Sequence, residues 1–290
     1  PADDSFAFAD LTGRGRRGDL IVKDRYWTMW GIEGNGNILW SWAGSTGHYP
    51  SVADVDGDGC DEVYVGYALL DHEGTPLFEM NPGEAHQDAS YIIQLPDGTW
   101  RLLFGNHGIH CMDINGTELW CNPLREAQHV VPGTYRSDSP VQVMVIDRGY
   151  PRTPEGSPAV LYMYDIEDGN EIWNRVQPPG SWVAGCLDIQ WTGRKDQKEI
   201  LVYGRGEGQP PAVYDGHGKI LTSFETPSSL SNKIYDEHYH KKHNHCYKAD
   251  IFGDSREEVI LAGGDYIAIF SNNESLNLPT QYNATIYRGM

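Results

Sequence analysis

An internal repeat of about 40 to 50 residues limits how this chain can fold more than any other feature. Each copy opens with an Ala-Asp turn between two apolar segments, as at 9–10, 53–54 and 249–250, with a looser copy at 187–189. Each copy closes with a second hairpin whose polar Gly turn leads to an aromatic residue, clearest at Trp40, Trp120 and Trp173. Two hairpins make four short antiparallel strands, which form one β-propeller blade. The sequence therefore predicts an all-β propeller in which these tryptophans pack between blades.

The repeat can be counted six times, and we place the blades at 5–43, 48–80, 86–121, 129–175, 182–224 and 245–271. The 33 Gly and 17 Pro agree with many short strands joined by tight turns. A solenoid is the competing architecture, but antiparallel hairpins closed by Asn-Gly turns favour blades. We expect residues 1–290 to form a single propeller domain with seven blades in the closed ring. The additional strands would come from the tail after 272 or from a segment before residue 1.

Charge and sequence signals bear on partners and location. The formal net charge of −19 argues against a nucleic-acid partner, because phosphate binding needs a basic surface. No run of 18 apolar residues is present, so we expect no membrane segment. The chain starts at Pro1, which we interpret as a processed start, and it carries glycosylation sequons at Asn115, Asn273 and Asn283. Together these features predict a secreted, extracellular glycoprotein, which we expect to be a monomer.

The chain has five cysteines, an odd number that excludes a complete disulfide framework. Cys111 and Cys121 flank the hairpin 112–120 almost symmetrically about its Asn-Gly turn. That placement would bring their Cβ atoms within bridging range, so one interpretation is a disulfide between them. The alternative is that both are small buried apolar residues.

The second repeat contains a loop with alternating carboxylates, Asp54, Asp56 and Asp58, followed by Glu62. Alternation folds several oxygen ligands around one point, and the backbone carbonyl of Cys60 could add another, as Ca²⁺ prefers. An EF-hand is excluded because Val65 stands where the bidentate Glu should be and strands flank the loop. The loop therefore predicts a calcium site that stabilises a blade turn, with a solvated Asp-Gly turn as the alternative.

Basic and aromatic residues recur at one end of the predicted blades, where each first strand starts and each second strand ends. The set comprises His48, His86, His107, His129, His245, Arg25, Arg148, Arg205, Tyr67, Tyr150 and Trp182. His can transfer a proton near neutral pH, Arg can hold a carboxylate, and Tyr or Trp can stack on a sugar. Any one of these histidines could be structural, but the group together predicts a functional site.

Three stretches resemble the propeller-fold rhamnogalacturonan lyases and, more closely, the rhamnose–glucuronate lyases and related rhamnosidase-like propellers. They are residues 46–63, which include Gly-His-Tyr-Pro and the acidic loop, residues 125–129, and residues 249–259. The resemblance covers most of the chain, although its Asp-Gly motifs are shared with non-enzymatic repeats. It implies β-elimination at C4 of a uronic acid in an acidic, rhamnose-containing polysaccharide or oligosaccharide.

The resemblance also implies roles for the residues at the predicted site. His48 or His86 would remove the C5 proton, and Arg148 and Arg205 would bind the carboxylate. Tyr150 or His129 would protonate the leaving oxygen. The remaining substrate-binding residues would be Arg25, Tyr67, His107, Trp182 and His245. Calcium assists catalysis in rhamnogalacturonan lyases, but here the acidic loop lies at the opposite end of the blade, which favours a structural ion.

Two other functions remain open at this point. An α-L-rhamnosidase on the same scaffold would need paired carboxylates, which Asp88, Asp147 and Glu126 could supply. A non-catalytic carbohydrate-binding or adhesion propeller would need only aromatic platforms and calcium. Absorbance from the C4–C5 double bond of a lyase product distinguishes these possibilities.

Overall fold

The computed structural model describes residues 4–80, 86–148, 157–178, 183–204, 210–224, 245–263 and 266–274. Twenty-three β-strands lie in these ranges. They form six sheets, each made of strands that are consecutive in the sequence. The described segments include no helix that could cross a membrane.

One compact unit comprises Pro1–Pro132, Val143–Asp147 and Tyr164–Glu171. It contains three antiparallel four-stranded sheets. The first consists of β1 (Ser5–Ala9), β2 (Asp19–Lys23), β3 (Thr28–Ile32) and β4 (Ile38–Ala43). The second consists of β5 (Ser51–Ala53), β6 (Glu62–Tyr64), β7 (Ala68–Leu70) and β8 (Pro76–Glu79). The third consists of β9 (Ala89–Gln94), β10 (Trp100–Gly105), β11 (Gly108–Met112) and β12 (Glu118–Pro123).

The other compact unit comprises Gly133–Gln142, Arg148–Met163 and Ile172–Met290. The fourth sheet, whose residues are divided between the two units, consists of β13 (Ala127–Gly133), β14 (Gln142–Asp147), β15 (Val160–Asp165) and β16 (Glu171–Val176). The fifth consists of β17 (Val183–Ile189), β18 (Glu199–Gly204), β19 (Ala212–Tyr214) and β20 (Ile220–Ser223). The sixth consists of β21 (His245–Ala249), β22 (Glu258–Gly263) and β23 (Tyr266–Phe270).

These sheets confirm the predicted all-β fold of repeated blades. The predicted first blade, 5–43, agrees with strands that run from Ser5 to Ala43. The sixth sheet has three strands within the described residues rather than four. A seventh blade, closure of the ring and a single domain remain predictions.

Inner strands are buried because neighbouring sheets pack on both of their faces. All three residues of β6 are buried, as are the last four of β10. In the first unit, Ile21 and Met29 pack with Val63 and Leu70 between the first and second sheets. A similar cluster, which includes Tyr64, Leu69, Leu102 and Met112, joins the second and third sheets. Burial on both faces explains why these strands are continuously apolar rather than alternating.

Aromatic residues of the outer hairpins hold neighbouring segments together, as the repeat predicts. Trp40 Nε1 donates to the His72 carbonyl at 2.8 Å. Equivalent bonds run from Trp120 to Ile166 and from Trp173 to Gly216, both at 2.9 Å. Gly74 has φ +81°, and a Cβ there would lie 2.6 Å from the Trp40 ring. The Gly turn therefore provides a surface on which the indole can lie.

A buried polar side chain at the start of the second strand caps the loop that leads into that strand. In five sheets it accepts a backbone N–H two residues after the first strand's end, at 2.7–3.0 Å. The pairs are Asp19 with Leu11, Glu62 with Val55, Gln142 with Tyr135, Glu199 with Trp191, and Glu258 with Ile251. All five acceptors are at most 3% exposed. In four of the five pairs the hydrogen bond is buried, so the side chain satisfies a donor that has lost water; the bond to Ile251 is part-buried.

The predicted disulfide between Cys111 and Cys121 is wrong, since all five cysteines are free. Cys111 pairs with Trp120 in the ladder, and Cys121 pairs with His110. The two cysteines are therefore one position out of register and face opposite sides of the sheet. Cys111 is buried and Cys121 is exposed.

Replacing Glu199 tests whether these caps matter for stability. Glu199 accepts the N–H groups of Trp191 and Thr192 and the Thr192 hydroxyl proton. Glu199→Ala should lower the free energy of unfolding by about 1–3 kcal/mol, because buried donors lose their partner. Glu199→Gln should lose much less, since Gln142 performs the same task in the fourth sheet. Urea denaturation measures both; equal losses would contradict the capping role.

Candidate functional site

His48 lies between β4 and β5, at the end of the second sheet where its first strand begins. Its Nδ1 lies 3.3 Å from both carboxylate oxygens of Asp4. Its Nε2 lies 4.0 Å from Asp88 Oδ1, and His86 Nε2 lies 3.7 Å from the same oxygen. The His48 and His86 rings are perpendicular, with centroids 5.1 Å apart. The structure therefore brings two predicted histidines together around one buried carboxylate.

The surroundings of His48 favour its neutral form. Burial lowers the pKa of the imidazole below its ordinary value of 6.5, against the opposing effect of the Asp4 and Asp88 charges. Asp4 can only accept at Nδ1, which assigns the imidazole proton to that nitrogen. The lone pair of Nε2 is then left to accept a proton. His48 thus has the protonation state that a general base needs.

The position of Asp4 depends on Lys23, a residue that the sequence analysis did not single out. Lys23 is fully buried at the end of β2, and its ammonium donates to Asp4 at 2.9 Å. It also donates to the carbonyls of Asp24, Arg25 and Gly47 at 2.6–3.1 Å. Burial lowers the pKa of Lys23, and Asp4 opposes that effect. The sequence signal for this lysine is a positive charge that directly follows an apolar run of strand residues.

Gly47 also helps to place His48. Its φ of +53° lies in the left-handed region, and a Cβ there would be 2.4 Å from Cδ of the buried Gln87. Only glycine adopts this conformation and fits this space without strain. The Gly-His sequence therefore allows the chain to turn tightly before the histidine.

Asp88 is held from a neighbouring strand. It is 4% exposed, and its Oδ1 accepts a hydrogen bond from Gln128 Nε2 at 2.9 Å. His48, His86 and Asp88 each offer a ligand atom, and these atoms all lie within 4.8 Å of one another. The same three side chains could therefore hold a divalent cation as well as transfer protons.

Aromatic rings extend the cluster on both sides. Tyr26 lies 4.4 Å from His86 and 5.4 Å from His48, measured between ring centroids. Tyr49 lies 6.1 Å from His48 and 6.0 Å from His129. His129 thus joins the predicted group through Tyr49. Neither tyrosine was predicted as a site residue, although each adjoins one in the sequence, and both could stack on a sugar ring.

Arg25 also lies in this cluster; its role in substrate binding remains a prediction. Its Nε lies 3.5 Å from Asp4 Oδ1, and its side chain is 62% exposed. His107 is exposed, with Nδ1 3.1 Å from the Arg125 carbonyl. The prediction for Tyr67 is wrong, because this residue is 2% exposed. Its hydroxyl accepts from Asn106 at 2.8 Å and its ring packs on Phe104, so it belongs to the core.

The remaining predicted site residues lie outside this cluster or outside the described residues. Arg148 follows β14, is half-buried and belongs to the second compact unit. Tyr150, Trp182, Arg205 and the sequon Asn283 lie outside the described residues. His245 begins β21, but its side chain is outside the description. The sequons at Asn115 and Asn273 are exposed.

The acidic loop follows β5, whereas His48 precedes that strand, so the two lie at opposite ends of it. Ligand atoms of Asp54, Asp56 and Asp58 lie within 4.8 Å of one another. Backbone N–H groups donate to all three carboxylates, including Gly57 to Asp54 and Cys60 to Asp58, both at 2.7 Å. These bonds hold three acidic groups close together, as a cation site requires.

Glu62 stabilises this loop from the protein interior. It is 1% exposed, and its Oε2 accepts the Val55 N–H at 2.7 Å. Burial and the three nearby aspartates raise its pKa to about 7. Its carboxylate therefore caps the loop backbone. Direct coordination by Glu62 and by the Cys60 carbonyl remains a prediction.

Comparisons with known proteins point to one group of enzymes. Residues 21–126 match the model of the C-terminal domain of rhamnogalacturonan lyase family 11. Rhamnogalacturonan exolyase YesX of Bacillus subtilis (strain 168) is 28% identical over 260 residues, which cover 79% of this chain and 37% of YesX. Rhamnogalacturonan endolyase YesW of the same organism is 34% identical over 70 residues, 24% of this chain and 11% of YesW. The chain therefore spans well under half the length of these relatives.

Solved structures show the same fold. The crystal structure of the exotype rhamnogalacturonan lyase YesX aligns with a TM-score of 0.59 at 21% identity, over 92% of this chain and 46% of that one. The Bacillus licheniformis rhamnogalacturonan lyase PL11 gives 0.60 at 19%, over 93% and 45%. The Dos1 propeller gives 0.58 at 11%, over 92% and 66%. The predicted propeller fold and the resemblance to rhamnogalacturonan lyases are both confirmed.

The Asp4–His48 contact can be tested by titration. Asp4→Asn should lower the pKa of His48 further, because the negative charge that favours the imidazolium is removed while burial remains. NMR titration of the imidazole signals measures this shift. The imidazole signals of His217, which lies on a turn of the fifth sheet, serve as the internal reference. An unchanged or raised His48 pKa would refute the assigned role of Asp4.

Proposed function

We propose that this chain is the propeller portion of a polysaccharide lyase that cleaves rhamnogalacturonan by β-elimination. The observation that carries the proposal is the position of His48 between Asp4 and Asp88, within the segment that matches the family 11 domain. The names of the relatives support rhamnogalacturonan rather than a rhamnose–glucuronate linkage as the substrate. We also propose that the chain is secreted, on the basis of its three glycosylation sequons.

β-Elimination makes three demands on a site. A base takes the proton from C5 of the uronic acid, and the electrons of that bond form the C4–C5 double bond. The bond between C4 and the leaving oxygen breaks, and that oxygen receives a proton from an acid. The negative charge that builds up on the C6 carboxylate must be stabilised during the reaction.

The described residues can be assigned to these demands. His48 is proposed as the base through Nε2, with His86 as the alternative base beside the same Asp88. His129, 6.0 Å from Tyr49, is the proposed acid among the described residues, and Tyr150 remains the other candidate. Arg25 is proposed to bind the carboxylate. A cation held by His48, His86 and Asp88 would neutralise that carboxylate directly, so metal dependence has to be measured separately.

The hydrolase alternative receives less support. Asp147 is 3% exposed, and it accepts from Arg125 Nε and from the Glu126 N–H, both at 3.0 Å. Both oxygens of Asp147 therefore accept hydrogen bonds from residues just before β13. Because they are occupied in this way, Asp147 is poorly placed to activate water. Asp88 remains available near the histidines, so the product analysis below includes hydrolysis as an outcome.

Replacing the proposed base tests the lyase. Purified protein is incubated with rhamnogalacturonan and, separately, with gum arabic, while ultraviolet absorbance reports the unsaturated product. His48→Ala should reduce kcat by about 10²- to 10⁴-fold, as expected for loss of a general base. His217→Ala is the matched control and should retain activity.

Other products would identify other functions. New reducing ends without a rise in absorbance would identify a hydrolase. Saturable binding without either product would identify a binding module. A rise in absorbance that survives His48→Ala but not His86→Ala would transfer the base role to His86.

The pH dependence follows from the lowered His48 pKa. Because its pKa is lowered, His48 stays unprotonated to a lower pH than an ordinary histidine. The acid limb of the kcat/KM profile should therefore fall below pH 6.5, and Asp4→Asn should move it lower still. An acid limb above pH 6.5, or one that Asp4→Asn moves upward, would argue against His48 as the base.

We further propose that Asp54, Asp56 and Asp58 bind a structural Ca²⁺. Its charge would offset the repulsion among three carboxylates that the backbone holds together. Ca²⁺ should raise the Tm of the wild type by mass action and should not raise that of Asp54→Asn/Asp56→Asn. Asp97→Asn, in a turn of the third sheet without such a group, is the control. Equal Ca²⁺ stabilisation of all three proteins would contradict this site.

A further inference from the structure

The outer hairpin of the third sheet carries a cluster of three different metal-binding side chains. They are His110 on β11 and Glu118 and Cys121 on β12, with ligand atoms all within 4.8 Å of one another. His110 Nδ1 lies 2.7 Å from Glu118 Oε2. His110 Nε2, on the other side of the ring, lies 3.7 Å from Cys121 Sγ. The cluster shares no residue with the His48 group or with the acidic loop.

A β-bulge creates this arrangement. His110 pairs with Cys121, whereas Met112 pairs with Glu118, so Leu119 is the extra residue on β12. Without the bulge, residues 118 and 121 would face opposite sides of the strand, because side chains alternate. The inserted residue brings Glu118 and Cys121 onto the same side, where both meet His110.

The fold itself does not require these three residues. The same bulge occurs in the outer hairpins of the first, second and fifth sheets. The positions equivalent to His110, Glu118 and Cys121 hold Trp30, Ile38 and Ser41 in the first sheet, Ala68, Pro76 and Glu79 in the second, and Ala212, Ile220 and Ser223 in the fifth. All four sheets therefore share the bulge, but only the third has metal-binding side chains at all three positions.

We propose that His110 Nε2 and Cys121 Sγ bind a zinc ion, and that Glu118 orients the imidazole. Zinc bonds of about 2.3 Å to sulfur and about 2.0 Å to nitrogen, at a tetrahedral angle, separate the two ligand atoms by about 3.5 Å. The observed separation is 3.7 Å. Water completes the coordination, and the Cys121 thiol proton passes to solvent as the thiolate binds.

Two further contacts prepare the site. The His110 ring stacks on Phe104, with centroids 4.3 Å apart and planes 3° apart, which limits its rotation. Glu118 accepts at Nδ1, so the proton is held there and Nε2 is left as the ligand atom. A carboxylate in this position commonly orients and strengthens a histidine ligand. Cys121 is exposed and free of any disulfide, so an ion can reach it.

Cobalt substitution tests the site on the full 290-residue chain. Co²⁺ is added in an excess of Ca²⁺, which occupies carboxylate-only sites, and a thiolate-to-metal absorption band is followed. The wild type should show this band, and Zn²⁺ should displace it. Cys121→Ser and His110→Ala should abolish the band or weaken Co²⁺ binding at least tenfold. Glu118→Gln should weaken Zn²⁺ binding by about 10- to 100-fold in a competition assay.

The matched control is Cys60→Ser. Cys60 lies in a second group with Asp58 and His72, whose ligand atoms are also within 4.8 Å of one another. The band should persist in this variant. A band that disappears with Cys60→Ser, or that is unchanged in Cys121→Ser, would overturn the proposal. Because the three residues lie at the sheet surface, circular dichroism should be the same for all variants, and the result does not depend on lyase activity.

Discussion

Inner strands that are buried on both faces impose one requirement on the whole structure. The loop that enters such a strand has backbone N–H groups that water cannot reach, and each needs a partner inside the protein. In five sheets the partner is a side chain at the start of the second strand: Asp19, Glu62, Gln142, Glu199 or Glu258. A glutamine among four carboxylates indicates that the hydrogen-bond acceptor, rather than the charge, is what the position requires. The third sheet has a short turn at residues 95–99, where Leu95 bonds to Thr99 through the backbone at 2.7 Å.

Because this shared framework already provides hydrogen-bond partners for the backbone, the blades can carry different side chains at other positions. In the second sheet the capped loop carries three aspartates in addition to its cap, Glu62, whose pKa is raised to about 7 by burial and by these aspartates. In the third sheet the common β-bulge places a histidine, a glutamate and a cysteine together. In both cases a backbone geometry that recurs among the blades brings together side chains that occur in only one of them. At these two places, groups of potential metal ligands therefore arise from departures from the repeat.

The histidine cluster depends on a buried charge in a neighbouring sheet. Lys23 ends β2 in the interior, and its ammonium holds Asp4 and three backbone carbonyls. Asp4 in turn faces His48, while Asp88 is held by Gln128. Breaking such a buried ionic network is costly, because an unpaired charge would remain away from water. The network explains how a histidine in a loop can have a defined tautomer, whereas burial lowers the His48 pKa against the opposing charges of Asp4 and Asp88.

The sequence alone determined the blade repeat, the strand order and the acidic loop, because these depend on local patterns of apolar residues, turns and alternating carboxylates. It also indicated His48, His86 and His129, since equivalent positions in a repeat lie at the same end of each blade. Tertiary structure decided the rest. Tyr67 shares that sequence position but turns into the core, and Lys23 and Asp4 act on His48 across 25 and 44 residues of sequence. The Cys111–Cys121 prediction failed because Cys111 pairs with Trp120 and Cys121 with His110, one position apart, and side-chain direction reverses with each such step. Local pattern sets which strands form, whereas register and packing set which side chains meet.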